Sequence, residues 1–236
     1  MTLRAGGVSR GPYATLNLGL SVGDDPQAVV VNRARVAASF GLPLERVMRL
    51  DQVHGAVVRV VGDDAVGAEG DAIISDDPAW LLAVSAADCL PVLLHDPRTG
   101  VVAAVHAGWR GAVAGVVPAT VAVMRERFGV APSGLRAWFG AAIRGPRYQV
   151  GPDVAAAFRR AESPPEALQP DPELPDRYRA DVPALVRVQL LRLGVPSAQL
   201  SDSRVCTSAD RRCFSHRRDA GRTGRHWAVI RATSPG

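Results

Sequence analysis

The sequence predicts a single α/β domain built on a mixed sheet, and three observations carry that prediction. Apolar runs of strand length alternate with helical segments along the whole chain, the pattern of an α/β fold. Several strand pairs are joined by short turns that favour antiparallel pairing, which argues against a doubly wound parallel sheet. With 236 residues, 47% hydrophobic and 22% charged, the chain is long enough to bury a core without staples and too apolar to stay disordered.

The elements follow in order. Asp25-Pro26 opens a helix over residues 27–40, a cap followed by proline in the first turn, and Gly41 stops it. Residues 44–50 and 56–61 read as strands on either side of Gln52-Val53-His54-Gly55, and 72–75 and 81–86 as two further short strands. Residues 89–95 and 101–106 flank Asp96-Pro97-Arg98-Thr99-Gly100, a strong turn sequence, and are predicted to form a hairpin. A helix follows over 116–128 with Gly129 as its stop, then a strand over 137–143. Helices are expected over 152–162 and over 183–193, the latter capped by Asp181 and ended by Gly194. The proline-rich stretch 162–177 reads as an exposed excursion within the one domain, and 213–216 with 226–230 as a last hairpin.

Charge and cysteine usage narrow the function classes. The formal charge is +5, and all 28 basic residues are arginine. No basic run is interleaved with aromatics, so a small anionic substrate fits better than nucleic acid. Arginine suits such anions through its bidentate fork. No stretch approaches about 20 uninterrupted apolar residues, and the first fifteen hold no apolar run. Neither a membrane span nor a secretory signal is expected, and a cytoplasmic location is. Cys89, Cys206 and Cys213 are an odd number without short spacing, which argues against a disulfide framework.

The hairpin carries the chemistry. Counting 96–100 as its turn sets residue 95 opposite 101 and Cys89 opposite residue 107, so Cys89 and His106 are expected to be neighbours across two strands. His54 also sits at a strand end before a glycine. Two imidazoles and a thiolate are a suitable three-ligand zinc set with a fourth position open. A metal-free Cys89–His106 nucleophile pair competes with that reading, as does ordinary packing of both residues.

Four blocks then become familiar: Gln52-Val53-His54-Gly55, Ala87-Asp88-Cys89-Leu90-Pro91-Val92, Val105-His106-Ala107-Gly108-Trp109-Arg110-Gly111, and Phe214-Ser215-His216-Arg217-Arg218-Asp219 with Thr223-Gly224-Arg225. In this order they closely resemble the YfiH, or laccase-domain, family over nearly all of residues 1–236. The resemblance implies an α/β/β/α-layered domain similar to the catalytic domain of the cytotoxic necrotizing factor toxins. It places the family's metal site, and with it the catalytic centre, on His54, Cys89 and His106. It also implies a zinc-dependent purine nucleoside enzyme that phosphorolyses adenosine, inosine and methylthioadenosine and deaminates adenosine. Copper polyphenol oxidase activity has been ascribed to members too, and bacterial relatives are linked to peptidoglycan editing, which keeps a metal-independent cysteine hydrolase or amidase in view. The chain departs from the family pattern at Gly140-Ala141, Pro146-Arg147 and His216, none of which is a ligand.

Ligand chemistry favours zinc with copper as the alternative, since affinity alone ranks copper higher. A multicopper centre needs many more histidines than the five present. Purine nucleosides and phosphate are the expected partners, and a monomer the expected state. Arg33 and Arg110 are the first candidates for phosphate, Arg217 and Arg218 the next. Asn17 and Gln52 are expected on ribose or base, and Asp88 as a ligand-orienting group or base.

Overall fold

The protein, described here by a computed structural model over residues 1–62, 65 and 67–233, owes its architecture to side-chain alternation on its central strands. In chain order the elements are α1 (Pro26–Ser39), β1 (Val47–Met48), β2 (Val58–Val60), β3 (Ala72–Ser75), β4 (Leu81–Ala86), β5 (Leu90–His95) and β6 (Val102–Ala107). Then come α2 (Trp109–Val113), α3 (Val116–Phe128), β7 (Arg136–Phe139), β8 (Gln149–Val150) and α4 (Pro152–Arg160). β9 (Leu168–Pro170), β10 (Tyr178–Ala180), α5 (Val182–Arg192), β11 (Leu200–Asp202) and β12 (His226–Arg231) complete the series. A six-stranded mixed sheet has the order β11-β7-β5-β6-β3-β2, a second sheet the order β1-β4-β12, and a small third one β8-β10-β9.

Because successive side chains point to opposite faces, β3 and β6 fill two cores at once. Ile74, Ala103 and Val105 pack against Val117, Val121 and Met124 of α3. Ile73, Val102 and Ala104 face the other way, onto Leu82 and Val84 of β4 and Ala228 of β12. The far side of that smaller sheet presents Ala83 and Trp227 to Val36 of α1 and to Leu16 and Leu18. The result is the α/β/β/α layering that the resemblance implied: α1, the small sheet, the large sheet, then the remaining helices.

Trp227 is fully buried in the outer core, and its indole Nε1 donates to Ser85 Oγ at 3.1 Å. Trp227→Ala is expected to cost about 3–5 kcal/mol, the range for a large aromatic removed from a packed interior. Denaturant unfolding checks this, and a loss under about 1 kcal/mol would mean that the layer collapses around the cavity.

Several local signals read as expected. Asp25 caps α1 by accepting from Gln27 N at 2.9 Å, and Asp181 caps α5 by accepting from Ala184 N at 2.9 Å. Gly41 and Gly129 follow α1 and α3 at φ 69° and 65°, a left-handed stop that costs glycine little.

Others need correction. The β5–β6 register pairs His95 with Val102 and Leu90 with Ala107, one residue away from the expected pairing. The cause is the turn: Asp96 N donates to Val101 O and Gly100 N to Asp96 O, so only residues 97–100 form the loop. The strand expected over 44–50 shortens to β1, because Leu44–Arg46 is a 3₁₀ turn. The strand expected over 137–143 ends at Phe139, and the helix expected over 152–162 at Arg160. The last hairpin does not form. β12 pairs antiparallel with β4 instead, and Phe214 N is taken by the His226 ring at 2.7 Å. The proline-rich stretch contributes β9, which pairs with β10.

Candidate metal centre

One buried carboxylate organises the far end of the β5–β6 hairpin. Asp71 directly precedes β3, which runs antiparallel to β6, and His106 N donates to Asp71 O at 2.7 Å. That pairing sets the Asp71 side chain beside the His106 ring, with Nδ1 to Oδ1 at 2.8 Å. The same carboxylate accepts from His54 N at 3.0 Å and from Gly55 N at 2.7 Å, which fixes the loop between β1 and β2. His54 takes a left-handed backbone there, at φ 61°. Cys89 closes the group from the residue before β5.

The glycines of the His-Ala-Gly-Trp-Arg-Gly block make room for this convergence. A Cβ on Gly108 would lie 3.0 Å from His54 Cδ2 and 3.2 Å from Cys89 Sγ. A Cβ on Gly111 would lie 2.7 Å from Gly55 O. Either collision would push His54 away from the hairpin.

The donor atoms of His54, Cys89 and His106 all lie within 4.8 Å of one another. Cys89 Sγ is 4.0 Å from His54 Nε2, and the two imidazoles meet edge-on with centroids 4.9 Å apart. Burial opposes charge on the Cys89 thiol, but His106 and then His54 outweigh it and bring its pKa down to about 6. Burial likewise opposes charge on His106, and Cys89 and Asp71 together raise it to about 9. For Asp71 desolvation is again the largest influence, yet hydrogen bonds from His106, Gly55 and His54 leave the carboxyl below its ordinary value.

The donor set fits a borderline-soft divalent ion. An ion with bonds of about 2.0–2.3 Å at tetrahedral angles holds its donors roughly 3.3–3.6 Å apart, so donors that lie within 4.8 Å of one another would draw in by up to about 1 Å to bind it. A carboxylate only accepts here, so His106 carries its proton on Nδ1 and turns Nε2 to the group. That is the carboxylate–histidine arrangement that orients a ligand for metal.

The three residues line a cavity of about 730 Å³. Arg33, Arg49, Arg217, Arg225 and Tyr148 line it as well. Of the residues picked from sequence, His54, Cys89 and His106 converge as expected. Arg33, Gln52 and Asp88 also reach the cavity wall. Gln52 spends its amide on β4, donating to Ser85 O at 2.8 Å and accepting from Ser85 N at 2.7 Å. Asp88 accepts from Thr207 Oγ1 at 2.5 Å and from Arg217 N at 2.6 Å.

Asn17 is not among the lining residues. It is fully buried, its oxygen accepts from Gly19 N and Arg225 N, and its amide donates to Gly19 O and Asp24 Oδ2. Arg110 is exposed outside the cavity and stacks on Trp109 at 4.3 Å. Arg218 is held by the carbonyls of Thr207, Asp210 and Cys213. Sequence reasoning missed Asp71, Arg49 and Tyr148 and assigned no role to Arg225. Arg225 stood within the quoted tail block, whereas Asp71 offered only an acid at the mouth of an apolar strand.

Fold and site together define a class: a layered α/β protein with one candidate His₂Cys metal centre among its described residues, lining a cavity that several arginines also line. The chain belongs to the multi-copper polyphenol oxidoreductase laccase family, whose model matches residues 1–233. It is 46% identical to a purine nucleoside phosphorylase of Deinococcus radiodurans, covering 97% of this chain and 87% of that protein. It is 40% identical to the purine nucleoside phosphorylase YlmD of Geobacillus stearothermophilus, covering 98% of this chain and 88% of that one. The crystal structure of YlmD superposes with a TM-score of 0.91, covering 99% of this chain and 90% of that chain at 39% identity. That of Bacillus licheniformis YfiH also gives 0.91, covering 98% and 91% at 33% identity.

Proposed function

We propose that this chain is a zinc-dependent purine nucleoside phosphorylase working in the cavity above His54, Cys89 and His106. The observation that carries the reading is the meeting, in one cavity, of a His₂Cys donor group with a wall of arginines. Relatives at 40–46% identity bear the name purine nucleoside phosphorylase. The substrates are adenosine, inosine and methylthioadenosine with phosphate, and adenosine is also deaminated. The whole chain, residues 1–236, is the catalytic unit, acting as a monomer in the cytoplasm.

His54, Cys89 and His106 would hold the ion, and zinc suits that donor set better than the alternative, copper. A bound zinc ion supplies Lewis-acid chemistry that makes water nucleophilic near neutral pH, as deamination requires. Asp71 keeps His106 in the tautomer that presents Nε2. In phosphorolysis a phosphate oxygen bonds to C1′ while the C1′–N9 bond breaks, and the departing purine takes up a proton. Arginines on the wall neutralise phosphate and bring it to the sugar.

A second reading has its own support. Asp71, His106 and Cys89 form a continuous chain of contacts, the arrangement of a metal-free nucleophile, its base and an orienting acid. The experiment that separates the two is phosphate-dependent release of hypoxanthine from inosine, with metal content measured alongside. Release is expected to require phosphate, to stop on chelation and to return with zinc. Release without phosphate, or full activity in metal-free protein, would overturn the proposal.

A further inference from the structure

We infer that Arg33, Arg49 and Arg225 form a preformed oxyanion subsite that takes inorganic phosphate, distinct from the His54, Cys89 and His106 donors in the same cavity; this rests on the phosphorolysis reading. A guanidinium taken out of water is ordinarily paired with a carboxylate, because an unpaired buried charge is costly. The fold follows that rule elsewhere. Arg144 sits 2.6 Å from Asp202 and Arg179 3.1 Å from Asp171, both with side chains largely withdrawn from solvent. Arg218 meets Asp219 at 2.8 Å.

The three cavity arginines break it. None of the ion pairs among the described residues involves Arg33, Arg49 or Arg225, yet Arg33 is only 5% exposed and the other two are half-buried. Burial lowers all three from the ordinary arginine value, Arg33 to about 10. Each is oriented without being neutralised. Arg33 donates through Nε to Leu18 O at 2.8 Å, and its guanidinium lies 5.3 Å from the Trp227 ring centroid. Arg49 lies 5.5 Å from the same ring. Arg225 donates through Nη1 to Thr223 O and Gly224 O. Leu18, Thr223 and Gly224 contribute carbonyls, which align a cation and leave its charge in place.

The carboxylates in the same wall compensate only in part, since Asp88 acts on Arg225 as a lesser influence after burial and Cys89. Both oxygens of Asp88 are occupied by Thr207 and Arg217 N. Asp51 is exposed, and it acts on Arg49 only as a secondary influence after burial. A compact, doubly charged oxyanion satisfies three such forks at once, which a single carboxylate cannot do as well. Inorganic phosphate and the 5′-phosphate of a nucleotide share that chemistry, and the test tells them apart.

Inorganic phosphate is titrated calorimetrically into the zinc-loaded protein without nucleoside, and inosine 5′-monophosphate is titrated in parallel. Steady-state kinetics with inosine are then measured for Arg49→Gln, Arg225→Gln and Arg110→Gln. The first two should raise both the Kd and the KM for phosphate about ten- to a hundredfold, the loss of one charge-assisted contact. The KM for inosine should stay within about twofold, and Arg110→Gln should leave phosphate binding unchanged. Thermal melting checks folding, and Arg49→Lys with Arg225→Lys stand in if the glutamine variants melt early, with a smaller rise expected. If inosine is phosphorolysed but these variants bind phosphate like wild type, the subsite is wrong and the function stands. If phosphate binding depends on the arginines yet hypoxanthine is never released, the function is wrong and the subsite stands. Tight binding of the nucleotide that inorganic phosphate fails to displace would overturn the choice of ligand.

Discussion

Cys89→Ala is expected to empty the centre of metal and bring inosine phosphorolysis to background. The thiolate is one of three donors whose atoms lie within 4.8 Å of one another, and no other cysteine stands in for it. Cys206 and Cys213 are free but are not among the residues lining the cavity. Losing a ligand itself should cost more than the roughly 10–100-fold that changes in outer partners of a metal ligand typically cost. Loss of activity alone does not separate a ligand from a nucleophile, since both readings require the sulfur. Cys89→His separates them. It offers a His₃ donor set, which also suits zinc, and carries no thiol. Retained zinc with measurable turnover in Cys89→His supports the metal reading; full metal loading with no turnover at all points to the sulfur as nucleophile. Metal analysis of all three proteins, beside their rates on inosine with phosphate, decides the matter.

The parts of this protein legible in its sequence are those written locally. The caps of α1 and α5, the glycine stops after α1 and α3, and the β5–β6 hairpin are each set by a few adjacent residues. Cys89 and His106 were found together because one turn brings them together. The pairing differs by one residue, because Asp96, which composition alone marks as turn, continues the ladder by donating to Val101 O. Long-range pairing was not legible. Asp71 gains its role only when β3 docks antiparallel on β6, and Arg49 and Arg225 come to line one cavity only when α1, β4 and the tail have packed. Polar residues judged as substrate contacts were drawn off by backbone: Asn17 and Gln52 spend their amides on buried peptide groups, which rarely go unpaired. The sequence carried donor chemistry well, but it could not separate a side chain facing substrate from one holding the chain.

Asp71→Asn should loosen both histidines at once. The carboxylate accepts from His106 Nδ1, His54 N and Gly55 N through its two oxygens. An asparagine of the same shape keeps one acceptor and turns an amide donor to the other side. It therefore leaves either the imidazole N–H or a backbone N–H of the 54–55 loop without its partner, and it removes the charge that helps hold His106 protonated on Nδ1. Zinc affinity is expected to fall about 10–100-fold, the usual consequence of losing a carboxylate behind a ligating histidine. The metal-free protein should lose about 1.5–3 kcal/mol of stability, because a charge-assisted bond disappears from a site where Asp71 is only 1% exposed and His106 only 2%. These two readouts separate positioning from plain packing. Affinity is read by competition with a chelator, and stability by denaturant unfolding after the metal has been stripped. A purely structural Asp71 predicts lost stability with zinc affinity unchanged among the molecules that remain folded. A variant that binds zinc as tightly as wild type would show that His54 and His106 are set by the strands and glycines around them, without help from the carboxylate between.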